Sequence, residues 1–221
     1  MKARLESISR EETLQYLSYH GSFLPDEIRG DLERCETLML RTARPRLVWR
    51  MFAILPDGSL EGTDYCPGGE DISAFLSDCD SVVILAATLG AEAESLIRRA
   101  AARNMSDAVI LDAAGSAAIE AVCDNFCADL AAELAPRFLT DRFSPGYGDM
   151  PLGDQPAIFR LLDVSRRIGV SLSESGLMIP QKSVTALIGV SDRPQRARGG
   201  CETCVNYGNC AYRKEGKSCG S

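Results

Sequence analysis

Histidine is almost missing from this chain: His20 is the only one in 221 residues. A histidine-centred catalytic triad would have to run through that side chain. Its setting, Tyr19-His20-Gly21 just past a helical stretch, suits a capping or surface role instead. Neither a G-x-G-x-x-G fingerprint nor a P-loop occurs, which counts against dinucleotide and nucleoside triphosphate binding. No apolar run reaches the ~18 residues that a membrane span needs. Met1-Lys-Ala-Arg-Leu-Glu6 lacks the apolar core of a signal peptide, so a cytoplasmic, non-membrane protein is expected. A net charge of −7 excludes the broad basic face of a general nucleic-acid binder. Internal repeats and low-complexity tracts are also absent.

What remains is ordinary for a globular chain, with 45% hydrophobic and 25% charged residues, enough to bury a substantial core. The charge is uneven. Residues 192–221 hold six basic and three acidic side chains, so a +3 tail follows a −10 body. Gly199-Gly200 opens the cysteine-rich end of that tail. The expected organisation is a ligand-binding body over 1–191, with N-terminal helices and a hairpin over 1–80 and a second part over 81–191, and then the tail. Nine cysteines in a reducing compartment read as buried thiols, metal ligands or redox groups rather than disulfides. Cys35, Cys66 and Cys79 are isolated and read as small buried hydrophobes.

Helix signals come first. Ser9-Arg-Glu-Glu12 has the capping-box pattern and opens a helix over 9–19. Pro25-Asp-Glu-Ile28 opens a second, with Ile28, Leu32, Cys35, Leu38 and Met39 at helical spacing. Leu47 to Leu55 is β-compatible, and Pro56-Asp-Gly58 turns it toward a hairpin or meander. Ser81 to Leu89 reads as a buried strand before a helix over Ala91–Arg103. Residues 106–134 form the longest helical candidate, with Ile119, Val122, Cys123, Phe126, Cys127, Leu130 and Leu134 as one apolar stripe that Pro136 ends. A helix over about 154–168 and strands at Ser171–Ile179 and Ser183–Val190 complete the body.

Three groups carry chemistry. Arg142-Phe-Ser-Pro-Gly-Tyr-Gly-Asp-Met-Pro-Leu152 cannot be helical, because Pro145 fixes its φ and Gly146 and Gly148 permit positive φ. It is expected to be a shaped loop that presents a guanidinium and the Tyr147 ring. The first suits a carboxylate or phosphate, the second a flat heterocycle or a cation. The plain alternative is a Pro/Gly connection with a solvated arginine. Glu120 and Asp124 stand four residues apart beside the apolar stripe. They are either solvated flank carboxylates or partners of the arginine around a ligand with both charge signs, such as an amino acid or its sulfonium derivative. Cys201-x2-Cys204-x5-Cys210-x8-Cys219 can wrap an iron–sulfur cluster or Zn²⁺, with unliganded or redox-active thiols as the alternative.

Four blocks of sequence together resemble the activation domain of cobalamin-dependent methionine synthase, in a form that occurs as a separate polypeptide. Ile119-Glu-Ala-Val-Cys-Asp124 is similar to that family's V-E-A-x-A-D helix. Arg142-Phe-Ser-Pro-Gly-Tyr147 is similar to its R-x-x-P-G-Y loop. Glu174-Ser-Gly-Leu-Met-Ile-Pro180 with Ser183-Val184 resembles E-S-x-x-M-x-P-x-x-S-V, and Thr88-Leu-Gly90 also fits. The resemblance covers roughly residues 80–190.

It implies an α+β fold, a twisted and mainly antiparallel sheet flanked by helices, that binds S-adenosylmethionine and caps the corrin during reductive remethylation of inert cob(II)alamin. Arg142 would hold the methionyl carboxylate. Tyr147 and the backbone of Ser144, Pro145 and Gly146 would line the ligand, and Glu120 would provide a carboxylate contact to it; Asp124 joins the site on the spacing argument above. The fused form of the domain draws a further acidic contact from an N-terminal segment, to which the sequence assigns no residue here. A second glutamate shortly before the arginine has no counterpart, and Leu187 and Ile188 replace aromatic residues of the fused form. The cysteine tail is not part of the fused domain. The chain lacks the D-x-H-x-x-G signature of a cobalamin module, so the corrinoid is expected on a separate partner, with an electron donor completing the system. A stand-alone S-adenosylmethionine-dependent methyltransferase and a metal- or redox-sensing protein are the alternatives.

Overall fold

The computed structural model describes residues 1–19, 21 and 24–194. His20 and the candidate metal ligands Cys201, Cys204, Cys210 and Cys219 lie outside the described residues. The helices are α1 (Arg10–Tyr16), α2 (Asp26–Thr42), α3 (Glu70–Phe75), α4 (Ala91–Ala101), α5 (Met105–Leu134), α6 (Gln155–Leu162) and α7 (Val164–Ile168). The strands are β1 (Arg46–Ala53), β2 (Ser81–Thr88), β3 (Phe138–Phe143), β4 (Ser171–Leu172), β5 (Met178–Ile179) and β6 (Ser183–Ser191).

Helix ends form where the sequence supplies caps. Ser9 Oγ accepts the Glu12 N–H at 3.2 Å to start α1, and Asn104 Oδ1 accepts the Ser106 N–H at 3.0 Å to start α5. Helix α5 ends at Leu134, two residues before Pro136, which cannot continue it. Its middle turns are small (Ala113, Ala114, Gly115, Ala117 and Ala118), and this lets it lie close to its neighbours. At Gly115 an added Cβ would come within 3.2–3.4 Å of the Lys182 side chain, which crosses the helix there to reach Ser116 at 2.8 Å and Asp112 at 2.9 Å.

Strands pair antiparallel throughout in the order β1-β2-β6-β3, and β4 with β5 makes a separate two-residue hairpin. The two central strands are covered on both faces, so residues 82–87 of β2 are all buried and show no polar alternation. Period two still sorts them. Val83, Leu85, Ala87, Ile188 and Val190 face the layer of α2, α4 and α5, while Val82, Ile84, Ala86 and Leu187 face α6 and α7.

Several expectations need correction. Residues 138–143 form an edge strand that the sequence reading missed, so Arg142 sits near a strand end rather than in a loop. The helix expected over 154–168 breaks at Asp163, which adopts left-handed φ 52°. Ser171–Ile179 is a tight hairpin and not one strand, because Gly176 turns at φ +81°. The turn at Pro56–Gly58 gives only an isolated bridge, Ile54 to Leu60, and β1 pairs instead with the distant β2.

Phe126 is the largest fully buried side chain, its ring 5.8 Å from Trp49 across the α5–sheet interface. Phe126→Ala should cost about 3–5 kcal/mol, read as a lower urea midpoint at unchanged slope. A cost below about 1 kcal/mol would show that this interface is not tightly packed.

Candidate functional site

A backbone irregularity aims the arginine. On β3, Leu139 pairs with Val190 and Arg142 with Ile188, so three steps on one strand match two on the other. Without that extra residue, Leu139 and Arg142 would point to opposite faces. With it, Leu139 packs into the core under α5 and Arg142 reaches the same helix. Thr140 Oγ1 accepts the Gly189 N–H at 2.8 Å beside the bulge.

The guanidinium forks between the two candidate carboxylates. Nη1 donates to Asp124 Oδ1 at 2.6 Å and Nη2 to Glu120 Oε2 at 2.7 Å. Their spacing of four puts both acids on one face of α5, one turn apart, matching the width of a planar fork. Burial opposes the charge on Arg142, whose side chain is 23% exposed. The Asp124 hydrogen bond and the nearby acidic groups more than offset this and hold its pKa above the ordinary value. Nη1 also lies 3.8 Å from Cys127 Sγ. Burial pushes the Cys123 thiol up to about 12 and raises Cys127 as well, so both are protonated and unreactive near neutral pH. Packing explains them, as expected.

The segment after β3 is clamped. Tyr147 N–H donates to Ser144 O at 3.0 Å, Met150 N–H to Tyr147 O at 3.0 Å and Gly146 N–H to Met150 O at 2.9 Å. Gly148 is required at φ +52°, since an added Cβ would meet the Asp71 carboxylate at 2.2 Å. The Asp149 carboxylate accepts the N–H groups of Glu70 at 2.7 Å and Asp71 at 3.0 Å, and Asp71 returns a bond to Asp149 N–H at 3.1 Å. Phe143 packs on Phe75 at 5.1 Å and meets Tyr147 edge-on at 6.3 Å. Tyr147 itself is 59% exposed.

A cavity of about 380 Å³ opens between α5, β3 and this loop. Five of the predicted residues are on its wall: Glu120, Asp124, Arg142, Ser144 and Tyr147. Buried Pro145 and the turn residue Gly146 shape the loop behind it. Two other hollows are larger, about 440 Å³ beside Arg50 and α7 and about 400 Å³ beside Cys66 and Cys79, but neither gathers these groups.

The sequence reading missed two residues of α1. Burial, then the Asp124 and Glu120 carboxylates, raise the Glu12 carboxyl above its ordinary value. Tyr16, one turn on, is pushed up to about 12 by burial and then by Glu120, Tyr147 and Glu12. Both therefore lie within electrostatic reach of the arginine fork, on a helix packed against α5. The Arg10–Glu36 ion pair at 2.8 Å ties α1 to α2. In the capping-box pattern Ser9-Arg-Glu-Glu12 the Glu12 side chain has a local role, and nothing in that pattern marks a distant one. With Glu12, Glu120 and Asp124 around one guanidinium, the site carries an excess of acid that favours a cation alongside any carboxylate. Among the described residues, no group of three or more His, Cys, Asp or Glu is arranged to hold a metal ion, and no helix is long and apolar enough to cross a membrane.

Comparison with known proteins bears on this geometry. No curated protein matches the chain. A crystal structure described as the MetH reactivation domain bound to AdoHcy aligns at TM-score 0.61 and 18% identity, over 99% of this chain and 85% of that one. At that identity the likeness concerns the fold, and it bears out the expected α+β architecture. Residues 78–196, more than half of the chain, match the activation domain of vitamin B12 dependent methionine synthase. That span takes in both central strands, the helix with its two acids and the bulged strand with its arginine, and on that match the chain belongs to the family of vitamin B12 dependent methionine synthase activation domains.

Proposed function

We propose that the cavity between α5 and β3 binds S-adenosylmethionine, and that the chain serves reductive remethylation of a separate cobalamin-dependent methionine synthase or related corrinoid methyltransferase. The observation that carries this reading is the Arg142 fork to Glu120 and Asp124 on the cavity wall. A methionyl carboxylate takes the guanidinium in their place. The released acids, with Glu12, then face the ammonium and sulfonium groups, so every charge keeps a partner of opposite sign. Glu12, on the N-terminal helix, would be this chain's candidate for the N-terminal acidic contact that the resemblance implies. Tyr147, exposed at the rim, offers a ring to the adenine. The structurally similar MetH reactivation domain, bound to AdoHcy, supports the same ligand class.

A partner's corrinoid would supply the methyl-accepting cobalt and a donor protein the electron, while a ligand held at Arg142, Glu120 and Asp124 would supply the sulfonium methyl group and leave as the thioether. The residues of this chain hold and orient the ligand, so their contribution is positioning and electrostatics rather than proton transfer. Residues 1–191 form the binding unit in this reading, and Cys201, Cys204, Cys210 and Cys219 hold an iron–sulfur cluster or Zn²⁺ in the appended tail 192–221.

Calorimetric titration with S-adenosylmethionine should give saturable binding that Arg142→Ala weakens by about 1.5–3 kcal/mol. Equal affinity for the variant would refute the assigned site. Glu12→Gln should act in opposite directions on the free and the bound protein. The raised pKa means that the neutral form of Glu12 suits the fold; its contribution is complete below 4.5 and is lost as pH rises through the folded value. At neutral pH the ligand-free variant should therefore melt higher than wild type, yet bind the cationic ligand less tightly. A variant that binds more tightly would remove Glu12 from the site. Protein purified without oxygen should contain iron with acid-labile sulfide, or zinc, and a preparation with neither metal would end the proposal for the tail.

A further inference from the structure

We infer that Thr140 is a positioning residue for the ligand site, its hydroxyl locking the bulge that turns Arg142 toward α5; the inference rests on the reading of this cavity as a ligand site. Two residues of β3, Thr140 and Asp141, stand against the single residue Gly189 of β6. A bulge of this kind locally disrupts the ladder, and here the Gly189 N–H goes to a side chain. Thr140 Oγ1 accepts that N–H at 2.8 Å and donates its own proton to Asp141 O at 2.8 Å. One hydroxyl thus satisfies the facing strand and closes on the second bulge residue, fixing both in one shape. The β-branched side chain has few rotamers, so it holds this geometry at little entropic cost.

Close packing favours the same arrangement. An added Cβ at Gly189 would lie 2.5 Å from Cys79 Sγ, 2.9 Å from Thr140 Cγ2 and 3.1 Å from Leu76 Cδ2. Glycine at 189 is what lets Thr140 approach the β6 backbone. The competing state is a one-residue slip of β3, which exchanges its faces. Arg142 would then turn toward the side where Phe143 now packs on Phe75 in the second apolar cluster, and lose Glu120 and Asp124. Thr140 is also on the cavity wall, two residues before the guanidinium it directs.

The test compares Thr140→Val, which keeps the shape and removes the hydroxyl, with Thr140→Ser, which keeps the hydroxyl. Full-length protein is titrated with S-adenosylmethionine, and the Arg142 Nε–H resonance is followed without ligand. Thr140→Val should weaken binding about tenfold, and Thr140→Ser should stay within about threefold of wild type. In an Arg142→Ala background, Thr140→Val should change affinity by less than about twofold, because the hydroxyl acts through the arginine. The Arg142 resonance should be single and sharp in wild type and Thr140→Ser, and broadened or split in Thr140→Val.

Equal weakening in the Arg142→Ala background would overturn the inference, as would an unchanged Arg142 resonance in Thr140→Val. Where Thr140→Val does not fold, Thr140→Ala measured in the cold replaces it; failure of both assigns the hydroxyl to general stability and likewise overturns the inference. If wild type does not bind S-adenosylmethionine, the functional reading fails on its own, and the Arg142 resonance alone decides the role of Thr140.

Discussion

One guanidinium shared by two carboxylates is the interaction around which the rest of this site is arranged. Arg142 comes from the edge of the sheet, and Glu120 and Asp124 from the longest helix, so their meeting also joins the two layers. The pairing is partly buried, which strengthens the attraction and raises the cost of leaving any member alone. On the proposed reading, a ligand enters by supplying charges of both signs to replace those it displaces. Such a device is selective by arithmetic: a simple anion would strand two acids, and a simple cation would leave the arginine as it is.

The surrounding structure keeps that arrangement from relaxing. Pro145 is buried, Gly146 and Gly148 allow the turn, and the crossed Asp71 and Asp149 hydrogen bonds fasten the loop to the start of α3. On the other side, Arg10–Glu36 and Arg4–Asp129 tie the N-terminal segment to α2 and α5. Helix α1, which carries Glu12 and Tyr16, is thereby held against the helix that carries the acids. The rim remains open at Tyr147, where a ring can meet a ligand without disturbing the clamp.

Much of the fold was legible because its signals are local. The stripe from Ile119 to Leu134, the cap at Ser9, the buried run from Ser81 and the Pro and Gly punctuation each act within a few residues. The failures were equally physical. Phe138–Phe143 is an edge strand whose bulge spoils the period of two, so no alternation marked it. The break at Asp163 depends on a left-handed residue that helix periodicity does not report. The hairpin of β4 and β5 is too short for any window to resolve.

By itself the sequence determined the chemistry on offer: one arginine before a proline-pinned bend, two acids one helical turn apart, and a family pattern linking them. Residue type and short spacing are enough for that. Only the tertiary structure decided which face Arg142 occupies, because one extra residue in β3 reverses the outcome and its effect depends on pairing with β6. It alone also brought Glu12 beside Glu120, since contact across so long a stretch of chain is set by helix packing and leaves no local mark.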